Sequence, residues 1–391
     1  MTATRSPGAP DRDALAARFG PRRADLAVRA RTAGDPLADA VVAEIRAAGR
    51  EGGRALTAAL QRGIRDGLAS LTGPSPALAA LLTSAESVPA GTDPAILDTG
   101  IRPMFTAPPA VHTLSLSAGA LLRTYGSPSI AVLLGTTGRL VESAERRLTE
   151  TGTWLLAATL PGGMRPGSPG YVGTLQVRML HAHMRVLARD RGLDEAVHGT
   201  PVNQVDLVRT WLDFTLVSMR AEATIGFGLT PAETTEVYAC WQLLAHQLGI
   251  DPELVRDVTS HAEAEELDAL VTAVTGPPAP ESRALAGALI GAVAALLVQP
   301  LRLPVPQGRR LLQALARRFH GAAVTTGLGL RRSPGWEVAV AVLGRVVAVQ
   351  RRWVRRSPAS LEAARVRNIA ATRALLTEDR GGPSLFETHG A

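Results

Sequence analysis

Residues 176–189, with the sequence QVRMLHAHMRVLAR, have the pattern of a largely buried α-helix. Apolar residues recur there at spacings of three and four, as they do along one side of a helix. Arg178, His181 and Arg185 stand at i, i+3 and i+7, so they share one face. Charges on a buried helix need partners. A porphyrin would be one such partner, because its carboxylates bind guanidinium groups and its iron binds imidazole nitrogen.

The rest of the chain has the same helical character. Strong helix formers, chiefly Ala, Leu, Arg and Glu, dominate long stretches, and patterns typical of strands are nearly absent. Clusters of Pro and Gly divide the chain into helical blocks. Residues 203–220 and 231–248 are two further buried helices by their apolar spacing, and the second begins at Thr230 with Glu233 three residues later. The sequence therefore predicts an all-α fold.

Three segments limit what kind of helical protein this is. The connection 90–109 is long, and connections of that length are functional covers or disordered segments. The longest apolar run, residues 284–298, is shorter than the ~20 residues that a membrane-spanning helix needs. The first 30 residues contain no apolar stretch of the length that a secretion signal requires. We therefore expect a cytoplasmic protein.

The composition excludes several classes of chemistry. None of the 42 basic residues is a lysine, which excludes phosphate-binding loops that end in Gly-Lys, pyridoxal phosphate enzymes and Ser-Lys hydrolases. Cys240 is the single cysteine, so an internal disulfide and a cysteine-based zinc site are excluded as well. Within its helix, Cys240 has the character of a small buried hydrophobe rather than of a thiolate ligand to heme.

A second helix is predicted over residues 140–155, where Arg147 and Thr151 are four positions apart and project together. Placed across a cofactor from His181, they would donate hydrogen bonds to bound dioxygen. Taken alone, an arginine and a threonine at this spacing more often lie on the solvent-exposed surface of a helix. A single histidine on a helix more often has a structural role than a metal-binding role. Four other histidines receive that structural interpretation first: His183, His246, His261 and His320.

Three linked motifs resemble a known family. They are GRLVESAERRLTETGTWLLAATLPGGMRPGSPG at 138–170, QVRMLHAHMR at 176–185 and GTPVNQVDLVRTWLDFT at 199–215. In this order they resemble the conserved core of the rubber oxygenases, or latex clearing proteins. The wider family includes the membrane-bound oxygenase of mycophenolic acid biosynthesis. The resemblance covers roughly residues 110–250 and extends more weakly to about residue 375.

The resemblance implies a single multi-helix domain with a globin-like core around a heme pocket. It also implies a non-covalent heme b and attack by dioxygen on an apolar, unsaturated substrate. The family's axial histidine falls on His181, its neighbouring arginines on Arg178 and Arg185, and its distal arginine and threonine on Arg147 and Thr151. We expect a helical extension at 1–89, a heme-binding oxygenase domain at 90–375 and a flexible tail at 376–391.

One departure from the family pattern concerns Glu150. Rubber-cleaving members can carry a lysine just before the threonine, at the iron's sixth site, and here Glu150 precedes Thr151. A carboxylate there could bind ferric iron weakly, orient a water or accept a proton, so we expect Glu150 in the catalytic site. We also expect a small intracellular substrate rather than a polymer. No carboxylate matches the position of the family's base, and Glu142 and Glu150 are nearby candidates.

Two other functional hypotheses remain open. One is a heme- or gas-binding protein of the same fold without turnover. The other is a heme-free helical protein that binds a membrane or nucleic acid through its basic C-terminal helices.

The C-terminal region is strongly basic. Residues 306–373 contain 14 arginines and two glutamates, and a helix at 335–356 ends in arginines with Trp336 and Trp353 on its flanks. Such a helix can lie on an anionic membrane. The alternative is a charged helix end with a solvated tail. The high isoelectric point partly reflects a general use of arginine in this chain, which contains no lysine. It therefore does not by itself indicate a nucleic-acid partner, and we expect none. The sequence leaves the oligomeric state open.

Overall fold

The computed structural model describes residues 10–136, 144–297 and 302–378. Its first half consists of helices Arg12–Phe19, Pro21–Ala30, Pro36–Ala47, Gly49–Asp66, Pro76–Glu86, Ile96–Thr99, Pro109–Leu114, Leu122–Thr124, Pro128–Thr136, Ala144–Thr159 and Pro169–Asp190. Its second half consists of helices Glu195–His198, Gln204–Leu212, Ser218–Thr224, Pro231–Gln247, Pro252–Val255, His261–Thr275, Pro280–Leu296, Val305–Gly327, Pro334–Val354 and Pro358–Glu378. Over the described ranges there is no strand. The predicted all-α fold is confirmed.

Local sequence explains where two important helices begin. Pro169–Asp190, which we call the histidine helix, starts where the Ser168 hydroxyl accepts a hydrogen bond from the Tyr171 amide, with Pro169 at the first helical position. Helix Pro231–Gln247 starts at the predicted place, with Thr230 and Glu233 forming a capping box. These caps satisfy amides that would otherwise lack partners at a buried helix end.

The histidine helix lies between two apolar cores. On one side, the smaller core joins it to three N-terminal helices, Pro36–Ala47, Gly49–Asp66 and Pro76–Glu86. The residues of this core are Ala38, Val41, Val42, Leu60, Ile64, Leu78, Leu81, Leu82, Ala85, Tyr171, Leu175, Met179 and Ala182. On its other side, Val177 belongs to the larger core, to which most of the later helices contribute. The helix is therefore fixed by packing on two sides.

The connection 90–109 differs from expectation because it is neither disordered nor a cover over the cavity described below. It contains helix Ile96–Thr99 and a 3₁₀ turn, Arg102–Thr106, that buries Met104 and Phe105. Backbone carbonyls of that turn accept hydrogen bonds from the C-terminal helices. The Asn368 amide donates to Phe105 O at 2.8 Å, and Arg351 donates to Thr106 O at 2.9 Å. The sequence did not reveal these partners because they are more than 240 residues away.

Two π-helical segments lie side by side in the larger core. Ser115–Leu121 continues helix Pro109–Leu114, and Asp213–Val217 continues helix Gln204–Leu212. The predicted helix at 203–220 is thus interrupted by a wider turn. Such insertions occur frequently at functional sites, because they redirect the side chains that follow.

None of the described helices combines the length and the apolarity that crossing a membrane requires. The sequence predicted a flexible tail at 376–391. Residues 376–378 of it belong to helix Pro358–Glu378, and residues 379–391 lie outside the described residues.

Candidate active site

A cavity of about 540 Å³ lies beside the histidine helix. This volume is within the range of cofactor and small-molecule sites. Its walls are mainly aliphatic and aromatic, and the aromatic members are Tyr125, Trp154, Trp211, Phe214 and Trp241. The rings of Phe214 and Trp241 stack with their centroids 6.1 Å apart. A cavity with such walls favours apolar ligands.

His181 lies in the wall of this cavity. Its Nδ1 is buried without a hydrogen-bond partner among the described residues, although the ring is partly accessible. Burial, and to a lesser extent the positive charge of Arg185, lower its pKa to about 4. The imidazole is therefore neutral near pH 7. A neutral imidazole offers a nitrogen lone pair, which is the form that binds a metal.

His183 also lines the cavity, although the sequence favoured a structural interpretation of it. Its Nδ1 lies 2.8 Å from the carbonyl oxygen of Met179, one helical turn before it. This bond fits a tautomer with the proton on Nδ1, which leaves Nε2 as an acceptor. The cavity thus has two imidazoles two residues apart, and an experiment must distinguish them.

Arg178 and Arg185 are not among the residues that line the cavity. Both are buried, and each pairs with a carboxylate at the N-terminal end of helix Pro36–Ala47. Arg178 makes two bonds to Asp35, at 2.6 and 2.9 Å, and Arg185 donates to Asp39 at 2.7 Å. In this structure the two arginines fasten the histidine helix to its neighbour. Their contact with a porphyrin stays a prediction.

Gly249 packs directly on the Arg178–Asp35 pair. Its φ of +75° favours glycine, and a Cβ atom there would lie 2.2 Å from Asp35 Oδ2 and 2.7 Å from Arg178 Nε. The loop after helix Pro231–Gln247 can lie directly on the ion pair only because residue 249 has no side chain.

The predicted distal residues Thr151 and Glu150 both line the cavity. They belong to helix Ala144–Thr159, which packs along the histidine helix. The side chain of Arg147, in the first turn of the same helix, lies outside the described residues, and so does Glu142. The structure therefore brings Thr151, Glu150 and His181 to one cavity.

Asp206 is a cavity residue that the sequence did not single out. Its carboxylate accepts a hydrogen bond from the Ser129 hydroxyl, and burial raises its pKa to about 6. Asp206 is the third residue after Asn203, whose side chain caps helix Gln204–Leu212. An acidic residue in that position is usually explained by capping. A carboxylate within the apolar run VDLV was the signal that could have identified it.

Asp213, one turn beyond Arg209, anchors the wall behind the cavity. It accepts hydrogen bonds from Thr124 at 2.9 Å and from Arg123 at 3.2 Å, and burial raises its pKa to about 6. Arg123 and Arg209 also both bind Asp268. This buried network fixes the first π-helical region against the second.

Phe214 lines the cavity, whereas Leu155 packs in the larger core. Three of the other histidines and Cys240 have ordinary structural environments. His246 bonds to Ser84 O, His261 to the Tyr238 hydroxyl and His320 to Ala118 O. Cys240 is buried, and burial raises the pKa of its thiol. These contacts agree with the structural interpretation of the three histidines and of Cys240.

Residues 104–349 match the model of a family described as ER-bound oxygenase mpaB/B'/Rubber oxygenase, catalytic domain. A rubber oxygenase from Streptomyces sp. (strain K30) is 26% identical over 263 residues, which are 66% of this chain and 61% of that protein. A solved structure of latex clearing protein in the closed state has a TM-score of 0.63 at 23% identity, over 87% of this chain and 91% of that one. This second likeness concerns the fold. Because the family model spans more than half of its length, the chain belongs to the mpaB/rubber oxygenase family.

Proposed function

We propose that this protein is a heme b-dependent oxygenase that uses dioxygen to oxidise or cleave an apolar, unsaturated small molecule. The observation that carries the proposal is the imidazole of His181, whose buried Nδ1 has no partner among the described residues, in the wall of an aromatic-lined cavity of about 540 Å³. Membership of an oxygenase family is the second support.

The residues of the cavity fit a heme. Nδ1 of His181 is buried without a hydrogen-bond partner among the described residues, and this is costly unless the ring serves a ligand. In the part of the chain that the structure describes, no three His, Cys, Asp or Glu side chains gather as a metal site. An iron held by a macrocycle needs only one imidazole ligand on a given side from the protein. His181 would hold the iron, and the aromatic walls would contact the ring.

The acidic arms of a heme need polar neighbours as well. No arginine occurs among the described lining residues, so neutral hydrogen-bonding groups of the wall, such as Thr57, Gln61 and Gln176, would meet them. The Arg147 side chain, predicted to face the bound gas, is a further candidate cation.

A bound heme would supply dioxygen activation, and this chain's own residues would control protons and substrate. The Thr151 hydroxyl can donate a hydrogen bond to a polar group in the cavity, and Glu150 can hold a proton or orient a water. Asp206, with its pKa raised to about 6, can carry a proton near neutral pH. The apolar walls would bind the substrate and exclude bulk water.

Oxygen uptake tests this proposal. We expect the full chain, supplied with heme and a reductant, to consume dioxygen when an unsaturated terpenoid or fatty olefin is added, and not when the saturated analogue is added. Binding of gas without substrate-dependent consumption would instead favour the heme or gas carrier of the same fold. Rubber particles provide a further comparison, and we expect no consumption with them because Glu150 stands where rubber-cleaving relatives can carry a lysine.

A further inference from the structure

Helix Pro334–Val354 exposes a continuous row of large apolar side chains. The row consists of Val338, Val342, Val346, Val349 and Trp353, which we call the apolar stripe. Together with the adjacent Leu343, these side chains are 53% to 66% exposed. At 3.6 residues per turn, the stripe occupies an arc of about 80° on the helix. Scattered exposed hydrophobics are ordinary, but an ordered row indicates an interaction surface.

The opposite face of this helix makes its contacts with the rest of the protein. Val340, Gly344 and Arg351 are its buried residues. A Cβ atom on Gly344 would lie 2.7 Å from the carbonyl oxygen of Thr224, so the helix approaches helix Ser218–Thr224 closely. Arg351 donates hydrogen bonds to Thr106 at 2.9 and 3.0 Å. The helix is therefore held by its inner face, and the stripe lies on the opposite side of the helix.

Arginines border the apolar stripe. Arg345 and Arg352 lie on one flank and Arg356 follows at the C-terminal end, all exposed. The Arg356 guanidinium stacks on the Trp353 ring at 4.3 Å. Tryptophan with a cation beside it is typical of the level at which lipid headgroups meet acyl chains. Apolar side chains with arginines at their edge are the pattern of a helix that lies in a membrane surface.

We propose that the apolar stripe docks on an anionic lipid bilayer. The five side chains enter the boundary between headgroups and acyl chains, and the bordering arginines bind lipid phosphates. Pairing with a second copy is disfavoured by charge, because two such faces would bring their arginines together without intervening carboxylates. An anionic surface instead neutralises those arginines. This inference does not depend on the proposed oxygenase activity.

Sedimentation with lipid vesicles tests the proposal. The probe is vesicles of phosphatidylcholine and phosphatidylglycerol in equal parts, with pure phosphatidylcholine vesicles as the neutral comparison. We expect the full chain to bind the anionic vesicles, and Val342→Asn combined with Val346→Asn to weaken binding by about tenfold or more. Valine and asparagine have similar helix propensities and both sites are exposed, so the fold is preserved.

The matched control is Val366→Asn combined with Leu375→Asn, two exposed apolar sites on helix Pro358–Glu378. This control should bind the anionic vesicles as the unchanged protein does. The proposal is overturned if the unchanged protein does not bind, or if both pairs of substitutions have equal effects. It is also overturned if sedimentation equilibrium reveals a dimer that only the stripe substitutions dissociate, while vesicle binding stays absent.

Discussion

At the scale of single residues, Asp206 has an unusual environment for a carboxylate. It lies in the wall of an apolar cavity, where its carboxyl accepts hydrogen bonds from the Ser129 hydroxyl and the Asn203 backbone amide. Burial is the main cause of its raised pKa, and nearby Arg31 and Arg209 offset only part of that effect. Such a group titrates in the range where enzymes move protons.

Replacing Asp206 by Asn should change how stability depends on pH. A carboxyl whose pKa is about 6 in the folded protein and about 4 in the unfolded chain stabilises the fold at low pH, and this contribution is lost as the pH rises through 6. We therefore expect the free energy of unfolding of Asp206→Asn, relative to the unchanged protein, to rise by about 2 kcal/mol between about pH 4 and about pH 7. Urea unfolding at each pH measures it.

The exposed Asp257 provides the control for that series, because Asp257→Asn removes a carboxylate from the surface. We expect its difference from the unchanged protein to change less with pH than that of Asp206→Asn, because the Asp257 side chain is exposed. Equal changes for the two variants would contradict the assignment of a raised pKa to Asp206.

The residues of the site were predictable to different degrees. His181, Thr151 and Glu150 stand in motifs that resemble a family, and all three line one cavity. The partners of Arg178 and Arg185 were not predictable, because Asp35 and Asp39 are 143 and 146 residues away. A helical pattern indicates that a buried charge needs a partner, but not which one.

At the scale of elements, the histidine helix is fastened to helix Pro36–Ala47 by ion pairs of contrasting exposure. Arg178 and Asp35 are buried, whereas Arg46 and Asp190 join the same two helices at the surface with both side chains more than half exposed. Removing one member of a buried pair leaves an uncompensated charge, while exposed pairs contribute little.

Asp35→Asn should therefore destabilise the protein by about 3 kcal/mol or more. Asparagine keeps the cap of helix Pro36–Ala47, so the effect isolates the lost charge. Asp190→Asn, the matched control, should cost less than about 1 kcal/mol. Denaturant unfolding measures both, and equal losses would show that the buried pair has no special role in holding the helix.

Helix positions themselves were largely predictable, since the Thr230 and Glu233 signals and the apolar spacing mark Pro231–Gln247 closely. The π-helical turn Asp213–Val217 was not predictable, and its first residue has partners that are distant in sequence. Asp213 is bound by Arg123 and Thr124 from the facing helix, and no pattern within residues 203–220 reports that contact.

At the scale of the whole molecule, distant parts of the chain meet at the cavity. Thr57 and Gln61 come from an N-terminal helix, Thr151 and His181 from the middle, and Ile250 from the loop after helix Pro231–Gln247. The sequence predicted the fold class because helical patterns are local. It did not predict that residues 1–89, expected as an extension, supply part of the cavity wall.

Heme binding with one pair of variants tests the central claim most directly. The full chain should bind one heme per molecule with a Soret band, and His181→Ala should lose that binding or shift the band, because the iron loses its ligand. His183→Ala, the matched control on the same helix, should keep the band unchanged. An unchanged Soret band in His181→Ala, or its loss in His183→Ala alone, would contradict the account.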